Sequence, residues 1–332
     1  MVKISIVIPC RNEEKYIEDF LHSVLENDYP KEFTEIIIVD GNSTDNTLNI
    51  IERFKSSYSI ISVLNNKEQT TPNALNIGFK YASGDYIIRL DVHSIIPKNY
   101  FTELINYAQR LDADNIGTVV TTDVKNKNPK SCAIKKVLSN KFGVGNSYFR
   151  IGINKIIETD TVPFGCFKKE IFCKIGYFNK YLDRDQDIEL NKRIKKNGGK
   201  IFLIPNISST YFARENYSGL AINNFSTGMW NILTIYVTKK IGSISLRHLV
   251  PLFFILSLIM PIILFYIIPE FIIISILSII SYLALISSVS VKLVDSTTNV
   301  IHLIKAFIVL HFTYGIGSFV GLFRINYLLK ND

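Results

Sequence analysis

The sequence places an aspartate and a histidine two positions apart, Asp91 and His93, after a short apolar run. If the run is a strand, residues two apart share a face, so the carboxylate and the imidazole can reach one divalent cation. These donors suit Mn²⁺, or Mg²⁺ in its place, better than Ca²⁺. Such an ion would neutralise a diphosphate leaving group. The alternative is a helix-capping acid beside a surface histidine.

A second group of reactive side chains lies at residues 183–189, where four acids occur in seven positions before a predicted helix. Acids in a first turn stabilise the helix dipole, which by itself accounts for some of them. Four acids exceed that need. One carboxylate in this cluster could remove the proton of an attacking hydroxyl as a general base. We expect Leu190 and Ile194 to face inward and Arg193 to face outward.

A third candidate is Asp40, which follows an apolar run and precedes Ser43, Thr44 and Asp45. An acid at the end of a strand can accept hydrogen bonds from a base or a ribose hydroxyl. Capping of the next helix by one of these small polar residues explains the segment equally well. Taken alone, capping is the stronger interpretation.

The elements that must position these residues alternate in the first half of the chain. Apolar runs predict strands, and helical spacing of apolar residues predicts amphipathic helices, with Leu48 and Ile51 inward in the second helix. The predicted strands are 4–8, 35–39, 60–64 and 86–90, and the predicted helices are 13–25, 45–54 and 72–82. Strand, helix, strand repeats predict an α/β fold with a mainly parallel sheet, whose ligands bind beyond the carboxyl ends of the strands.

The last part of the chain is apolar and predicts membrane spans. Residues 249–268 and 271–291 carry no charge, and each is long enough to cross a hydrocarbon core. Pro269 and Glu270 alone separate them, which predicts a tight helical hairpin. Residues 300–323 form a third candidate span, with a re-entrant or interfacial helix as the alternative, and Gly315, Gly317 and Gly321 there allow close helix packing.

The charge of the chain is concentrated before these segments. The net charge is +8, and residues 125–200 hold 18 Lys or Arg against 7 Asp or Glu. Anionic lipid, a phosphorylated acceptor, nucleic acid, or merely a solvated surface would all fit such a span. The four cysteines show no metal-type spacing, so we expect reduced thiols in a cytosolic environment. The opening apolar run is too short for a signal peptide.

The ordered motifs together resemble those of family 2 glycosyltransferases over residues 4–205. They are Pro9-Cys10-Arg11-Asn12-Glu13, Val39-Asp40-Gly41-Asn42-Ser43-Thr44-Asp45, Ala74-Leu75-Asn76-Ile77-Gly78, Ala82-Ser83-Gly84-Asp85-Tyr86-Ile87, Asp91-Val92-His93, Gly165-Cys166-Phe167-Lys168-Lys169, Gly176-Tyr177-Phe178, Gln186-Asp187-Ile188-Glu189-Leu190 and Arg193-Ile194. The resemblance implies the GT-A fold and a sugar-nucleotide donor, usually UDP-linked. The apolar tail, the Asp-x-His and residues 211–230 are most similar to the membrane-bound exopolysaccharide enzymes of the succinoglycan type.

Carried over position by position, the resemblance implies roles for individual residues. Asp187 would be the catalytic base. The other implied contacts are Pro9, Arg11, Asn12, Glu13, Asp40, Asn76 and Asp91 for the nucleotide sugar, Asp91 and His93 for the metal, and Gly165, Cys166, Gln186, Arg214 and Trp230 on the acceptor side.

The chain departs from the family pattern at three of these places. The family usually has a second acid at Gly41, an acid at His93, and a glutamate at Gln186. An imidazole still binds metals, whereas Gln186 lacks the negative charge of the usual glutamate. Residues 223–230 lack the Gln-x-x-Arg-Trp element of processive synthases, which favours transfer of a single sugar.

These expectations combine into one hypothesis. Residues 1–240 form the catalytic domain, with a nucleotide-binding half at 1–100 and an acceptor half with an interfacial segment at 101–240, and residues 249–323 form the membrane region. The enzyme is expected at a bacterial inner membrane with its catalytic domain cytoplasmic, where it transfers a sugar with inversion to a polyprenyl-diphosphate-linked saccharide and binds no nucleic acid. The alternatives are transfer to bare polyprenyl phosphate and a non-catalytic, nucleotide-sugar-binding scaffold.

Overall fold

The structure is a computed structural model that describes residues 1–329. Its strands form from short runs rich in Ile and Val, which favour extended backbone. The strands are β1 (Ile4–Cys10), β2 (Thr34–Asp40), β3 (Ile61–Asn65), β4 (Tyr86–Arg89), β5 (Ser94–Ile95), β6 (Asn115–Asp123), β7 (Ile157–Glu158), β8 (Cys166–Lys168) and β9 (Ile201–Phe212). The helices are α1 (Ile17–Leu25), α2 (Thr47–Ser57), α3 (Thr71–Tyr81), α4 (Tyr100–Arg110), α5 (Pro129–Leu138), α6 (Lys141–Val144), α7 (Tyr148–Ile151), α8 (Ile171–Ile175), α9 (Gln186–Lys196), α10 (Tyr217–Thr238), α11 (Val250–Leu264), α12 (Ile272–Leu293) and α13 (Val300–Leu322).

The chain forms two compact units. The first contains Met1–Thr121 and Gly152–Tyr211, and the second contains Thr122–Ile151 and the chain from Phe212 onward. The predicted domain boundary near residue 240 stays a prediction.

The sheet runs in the order β3-β2-β1-β4-β8-β6-β9-β5, with β7 paired to β9. Strands β1 to β4 pair in parallel, as the sequence predicts, and β1 matches β2 from Ile4 opposite Thr34 to Cys10 opposite Asp40. The pairs β4 with β8, β6 with β8, β5 with β9 and β7 with β9 are antiparallel. The sheet is therefore mixed, which confirms the α/β class.

Most predicted elements of the first half are present, with local differences. Helix α1 begins at Ile17 rather than at residue 13. In α2 the buried face carries Ile50 and Ile51, whereas Leu48 is exposed, so the inward orientation predicted for Leu48 is wrong. In α9 Leu190 and Ile194 are fully buried as predicted.

Arg193 of α9 does not face outward as predicted. Its guanidinium donates to Glu189 at 2.7 and 2.8 Å and to the carbonyls of Ile175 and Tyr177 at 2.5 and 2.7 Å. Because these carbonyls precede the acidic cluster in the chain, Arg193 ties that segment to α9.

Among the residues that the structure describes, the second unit contains three helical stretches long and apolar enough to cross a membrane: Leu246–Leu264, Pro269–Leu293 and Val300–Leu322. They coincide with the predicted spans. The hairpin predicted at Pro269 is present, and Ser275 Oγ of α12 donates to the Leu258 carbonyl of α11 at 2.8 Å.

Helix α13 also packs closely along α10, as its glycines predict. A Cβ added at Gly317 would lie 2.0 Å from the Phe225 carbonyl oxygen, and one added at Gly228 would lie 1.9 Å from that of Tyr314. Since these distances are too short for any side chain, the two backbones touch and only glycine fits. Ser318 Oγ donates to the Gly228 carbonyl at 3.0 Å.

The two helices run in the same direction over their whole length. Near their starts Tyr217 Oη lies 2.9 Å from His302 Nδ1, and near their ends Tyr236 Oη donates to the Leu322 carbonyl at 2.9 Å.

Candidate active site

The loops that follow β1 and β2 are fastened to each other. The Asn12 N–H donates to Ser43 Oγ at 2.9 Å, and Asn12 Oδ1 accepts from the Thr44 N–H at 2.8 Å. The Glu13 N–H donates to Thr47 Oγ1 at 2.7 Å. Asn12 has φ 54°, a left-handed conformation that Asn tolerates better than most residues. Two predicted nucleotide contacts, Asn12 and Glu13, thus lie in a fixed loop at the carboxyl end of β1.

Asp40 ends β2 and is buried. Its Oδ1 accepts from Ser43 Oγ at 2.5 Å and its Oδ2 from the Ser43 N–H at 3.0 Å, so both oxygens shape the turn. A Cβ added at Gly41 would lie 3.3 Å from the Arg11 side chain, whose stem covers this turn while its head is exposed. Pro9 is half-buried in β1. The nucleotide contacts predicted for Asp40, Arg11 and Pro9 stay predictions.

The Asp-x-His pair lies in the turn after β4. The strand ends at Arg89, so these two side chains are not presented by a strand face as the sequence suggested. Arg89 Nε and Nη2 each donate to one oxygen of Asp91 at 3.1 Å. His93 Nε2 lies 3.1 Å from Glu13 Oε1, and the Tyr16 ring packs edge-on against the imidazole at 4.4 Å between centroids. The turn thereby contacts the loop after β1.

Arg89 is a buried cation, 7 % exposed, that is paired with Asp91. Burial lowers its pKa, but the negative charges of Asp91 and Asp187 outweigh burial and leave the pKa raised. The charges of both Asp91 and Asp187 thus act on the same buried guanidinium. The Arg89 Nη1 atom is buried and has no hydrogen-bond partner in the protein.

The predicted base is the second residue of α9. Asp187 is half-buried, and its Oδ1 accepts from the Ile188 N–H at 2.9 Å. Asp185 precedes the helix with φ 59° and makes no capping bond. Burial, with the charge of Asp187 second, raises the pKa of Asp185 to about 7, while Arg184 opposes the rise. Gln186 is 6 % exposed, and its Oε1 has no partner.

Asn76 has a structural role that its predicted nucleotide contact did not include. Its Nδ2 donates to the Phe178 carbonyl at 2.8 Å, and its Oδ1 accepts from the Phe178 N–H at 2.9 Å. Both polar atoms of the Asn76 amide therefore bind the backbone of Phe178. The predicted contact of Asn76 with the nucleotide sugar stays a prediction.

Cys166 and Gly165 lie inside the sheet rather than on its surface. Cys166 is fully buried in β8, which leaves its side chain no exposed surface, and its acceptor-side role stays a prediction. Gly165 has φ 86° and its carbonyl accepts from the Arg89 N–H at 3.0 Å, which leaves only a backbone role. Burial raises the pKa of Cys166, and burial and nearby acids raise that of Cys10, so neither thiol acts as a nucleophile.

Arg214 and Trp230 belong to the second unit. Arg214 is exposed, just before α10. Trp230 is 6 % exposed and packs edge-on against Tyr327 at 5.7 Å between centroids. Their predicted acceptor-side role stays a prediction.

The described residues contain no group of three His, Cys, Asp or Glu side chains arranged to hold a metal ion. Asp91 and His93 nevertheless remain suitable as a pair, because their side chains are 34 % and 20 % exposed and supply one carboxylate and one imidazole.

Two residues of this site were given no role from the sequence, Arg89 and Asp185. A cation within the apolar run Ile87-Ile88-Arg89-Leu90 was a usable signal, because an arginine in a buried strand needs an acidic partner. Asp185 carried no such signal, since it is one of several acids in its cluster.

Comparison with known proteins gives the family. The model of glycosyl transferase family 2 matches residues 5–171. The chain belongs to this family. It is a glycosyltransferase with an α/β sheet of the GT-A type.

Two relatives show how far the similarity extends. The chain is 30% identical over 276 residues to the dolichyl N-acetyl-alpha-D-glucosaminyl phosphate 3-beta-D-2,3-diacetamido-2,3-dideoxy-beta-D-glucuronosyltransferase of Methanococcus voltae, covering 80% of this chain and 83% of the relative. It is 27% identical over 226 residues to the succinoglycan biosynthesis protein ExoA of Rhizobium meliloti, covering 67% of each. Both alignments extend beyond the matched family model.

A solved structure supports the fold. The mannosyltransferase PcManGT from Pyrobaculum calidifontis, in complex with GDP-Man and Mn²⁺, aligns with a TM-score of 0.60 at 15% identity, covering 96% of this chain and 86% of that one. At this identity the likeness concerns the fold alone.

Proposed function

We propose that this chain is an inverting, metal-dependent glycosyltransferase. It moves a single sugar from a nucleotide sugar, UDP-linked, to a lipid-linked saccharide during the assembly of exopolysaccharide or another surface glycan. Its catalytic unit lies on the cytoplasmic face of the membrane.

The observation that carries this proposal is the position of Arg89. Its guanidinium donates to both oxygens of Asp91, and the negative charge of Asp187 helps to raise its pKa. These carboxylates lie 96 positions apart in the sequence, yet the charges of both raise the pKa of the same arginine. A donor side at Asp91 and a base at Asp187 would therefore lie within one site.

The reaction follows from these positions. Asp187 accepts the proton of an acceptor hydroxyl, and the oxygen attacks the anomeric carbon of the donor sugar. The new glycosidic C–O bond forms as the C–O bond to the nucleotide diphosphate breaks. Because this is one displacement, the anomeric configuration inverts.

The donor side would hold the leaving group. Asp91 and His93 would hold Mn²⁺ or Mg²⁺, which neutralises negative charge on a departing diphosphate. Glu13 fixes the imidazole of His93 from the loop after β1. The hydrogen bonds of Asn12 and Asp40 keep this loop and its neighbour in place.

The membrane setting favours a lipid-linked acceptor. The three apolar helical stretches would place the enzyme where such carriers lie, and the Methanococcus voltae relative is named for a dolichyl-phosphate-linked sugar. The basic span 125–200 gives weaker support than its composition suggests. Lys135, for example, is paired with Asp123 and Lys136 with Asp295, so part of that charge is already neutralised.

The test uses the purified full-length protein in detergent. Nucleotide release from a panel of UDP- and GDP-sugars is measured with and without Mn²⁺, with polyprenyl-diphosphate-N-acetylglucosamine or polyprenyl phosphate as acceptor. We expect Mn²⁺-dependent release with a UDP-sugar and the saccharide-bearing lipid, and a loss of at least about 100-fold in Asp187→Asn. Preference for bare polyprenyl phosphate would replace the acceptor assignment. Equal release by the wild type and Asp187→Asn would refute the assignment of the base.

A further inference from the structure

A segment between β6 and β7 is fastened to the apolar helices. This inserted segment, residues 129–151, contains α5, α6 and α7 and belongs to the same compact unit as those helices. Thr298 Oγ1, in the turn between α12 and α13, donates to the Pro129 carbonyl at 2.6 Å. In the same turn Asp295 pairs with Lys136 at 2.6 Å. The inserted segment therefore begins beside the polar end of the α12–α13 pair.

Helix α6 reaches the middle of the same two helices. His311 Nε2 lies 2.8 Å from the Phe142 carbonyl oxygen. Because a carbonyl only accepts, Nε2 carries the hydrogen, and Nδ1 of the neutral imidazole accepts from the Tyr282 hydroxyl at 3.1 Å. Tyr282 lies ten residues after Ile272, the first residue of α12, and His311 lies eleven after Val300, the first of α13. At about 1.5 Å per residue this is about 15 Å, half of a hydrocarbon layer about 30 Å thick.

The backbone of α6 has its polar groups satisfied at this level. The Phe142 N–H donates to Asn140 Oδ1 at 2.9 Å, and the N–H groups of Gly143 and Val144 donate to the Asn140 carbonyl at 2.9 and 3.0 Å. A Cβ added at Gly143 would lie 2.0 Å from the Val137 carbonyl oxygen, so the chain folds back closely onto α5. Irregular backbone is tolerated at membrane depth only where protein satisfies its polar groups, and these bonds do so.

The side chains of α6 and α7 are not covered by protein. Neither helix has a buried residue. Their large apolar residues are Phe142, Val144, Tyr148, Phe149 and Ile151. Phe142 is 49 % exposed and Tyr148 is 41 % exposed. Beside Tyr282, Leu283 and Leu285 of α12 are exposed as well, so apolar surface is uncovered on both elements.

Charge and position indicate what covers this surface. The inserted segment has five Lys or Arg residues and no Asp or Glu. Basic side chains beside apolar rings match an anionic lipid layer, because their long stems let the charged ends reach the headgroups. A water-soluble partner has no access to the middle of helices that cross a bilayer. The surface therefore fits lipid.

We propose that residues 139–148 form a re-entrant loop, which enters the lipid layer beside α12 and α13 and places the Phe142 ring among the acyl chains. His311 holds the loop at this depth through the Phe142 carbonyl. The loop goes beyond the proposed function, since its contact with lipid does not depend on which donor or acceptor is used.

The test is fluorescence quenching by brominated acyl chains, with the full-length protein in vesicles of phosphatidylcholine and phosphatidylglycerol. The single tryptophan of the chain, Trp230, is changed to phenylalanine in every variant. Phe253 of α11 is 60 % exposed, and Phe253→Trp serves as the lipid-facing reference. We expect Phe142→Trp to be quenched at least about half as strongly as this reference. Tyr81, 54 % exposed in the first unit, gives the matched control, and Tyr81→Trp should not be quenched.

Two variants of His311, each combined with Phe142→Trp, test the tether. His311→Leu removes the donor to the loop carbonyl and should lose most of the quenching, because an unpaired carbonyl in lipid is costly. His311→Gln keeps an N–H donor and should retain the quenching. The Phe253→Trp reference should be quenched equally in both backgrounds.

The outcomes separate this loop from the transfer reaction. Quenching of Phe142→Trp no stronger than that of Tyr81→Trp overturns the re-entrant loop and leaves the proposed function intact. Equal quenching with His311→Leu and His311→Gln overturns the tether. Val144→Trp is a second probe of the loop with the same expectation, should Phe142→Trp not fold.

Discussion

Replacing the buried acid Asp185 by asparagine should stabilise the protein, in a way that depends on pH. Asp185 has its pKa raised from 3.8 to about 7, first by burial and second by the charge of Asp187. At about 1.4 kcal/mol for each pKa unit between the folded and unfolded states, the full penalty is about 4 kcal/mol. Asparagine has the same shape and tolerates positive φ, so it removes the penalty without new strain.

The sign follows from proton binding. Below pH 3.8 both states hold the proton, so the acid costs nothing. Between pH 3.8 and about 7 the unfolded chain has lost the proton and the folded protein retains it, so stability falls as pH rises. The stability of Asp185→Asn should therefore equal that of the wild type near pH 3.8 and exceed it above about pH 7. For a unit of this size, about 4 kcal/mol corresponds to a Tm increase on the order of 10 °C.

The difference in Tm between Asp185→Asn and the wild type is measured by thermal unfolding of the full-length protein in detergent. Circular dichroism follows the unfolding at a series of pH values. Asp112→Asn controls for the chemical change at an exposed left-handed position, and we expect no pH-dependent change in its Tm. Two results would contradict a raised pKa for Asp185 in the folded protein. One is a lower Tm for Asp185→Asn than for the wild type at pH 7.5, and the other is a Tm difference that does not vary with pH.

Three further predictions address other parts of the molecule. Asn76→Ala removes both hydrogen bonds to Phe178 and should lower the free energy of unfolding by about 1–3 kcal/mol, which a lower Tm would show. The affinity for UDP, measured by titration calorimetry, should stay unchanged. Weaker UDP binding at an unchanged Tm would instead support the predicted contact of Asn76 with the nucleotide. Gly317→Ala places a Cβ 2.0 Å from a carbonyl oxygen of α10 and should lower the Tm and the yield of folded protein, whereas Gly242→Ala, which meets nothing within 4 Å, should not; equal yields contradict the packing. EDTA should lower nucleotide release at least about tenfold, and His93→Ala should show the same low rate with or without Mn²⁺; full Mn²⁺ stimulation of that variant would remove His93 from the metal site.

The sequence was most informative where structure is local. The run at β1 and the helical spacing in α1 and α3 predict elements close to those observed, because periodicity records which side chains face the core. The antiparallel pairs of the sheet were not predictable in the same way. Strands of two or three residues, such as β5 and β8, are too short to show alternation, and their pairing depends on distant partners.

The site shows the same division. Spacing and motif order brought out Asp91, His93 and Asp187 as candidates. Their partners are less visible in the sequence: His93 contacts Glu13, which lies in a distant loop of the chain. The use of the Asn76 amide by a backbone 102 positions away likewise leaves no trace in sequence spacing.

The backbone contact between α10 and α13 has a consequence for how the protein meets a bilayer. Two helices that run parallel, joined near both ends and touching at Gly228 and Gly317, must share one tilt. If α13 spans the hydrocarbon layer, then α10 spans it too, although the asparagines and threonines of α10 make it less hydrophobic than α13. Bilayer thickness would then set the angle of the pair as a whole, so a thinner membrane would lean both helices together.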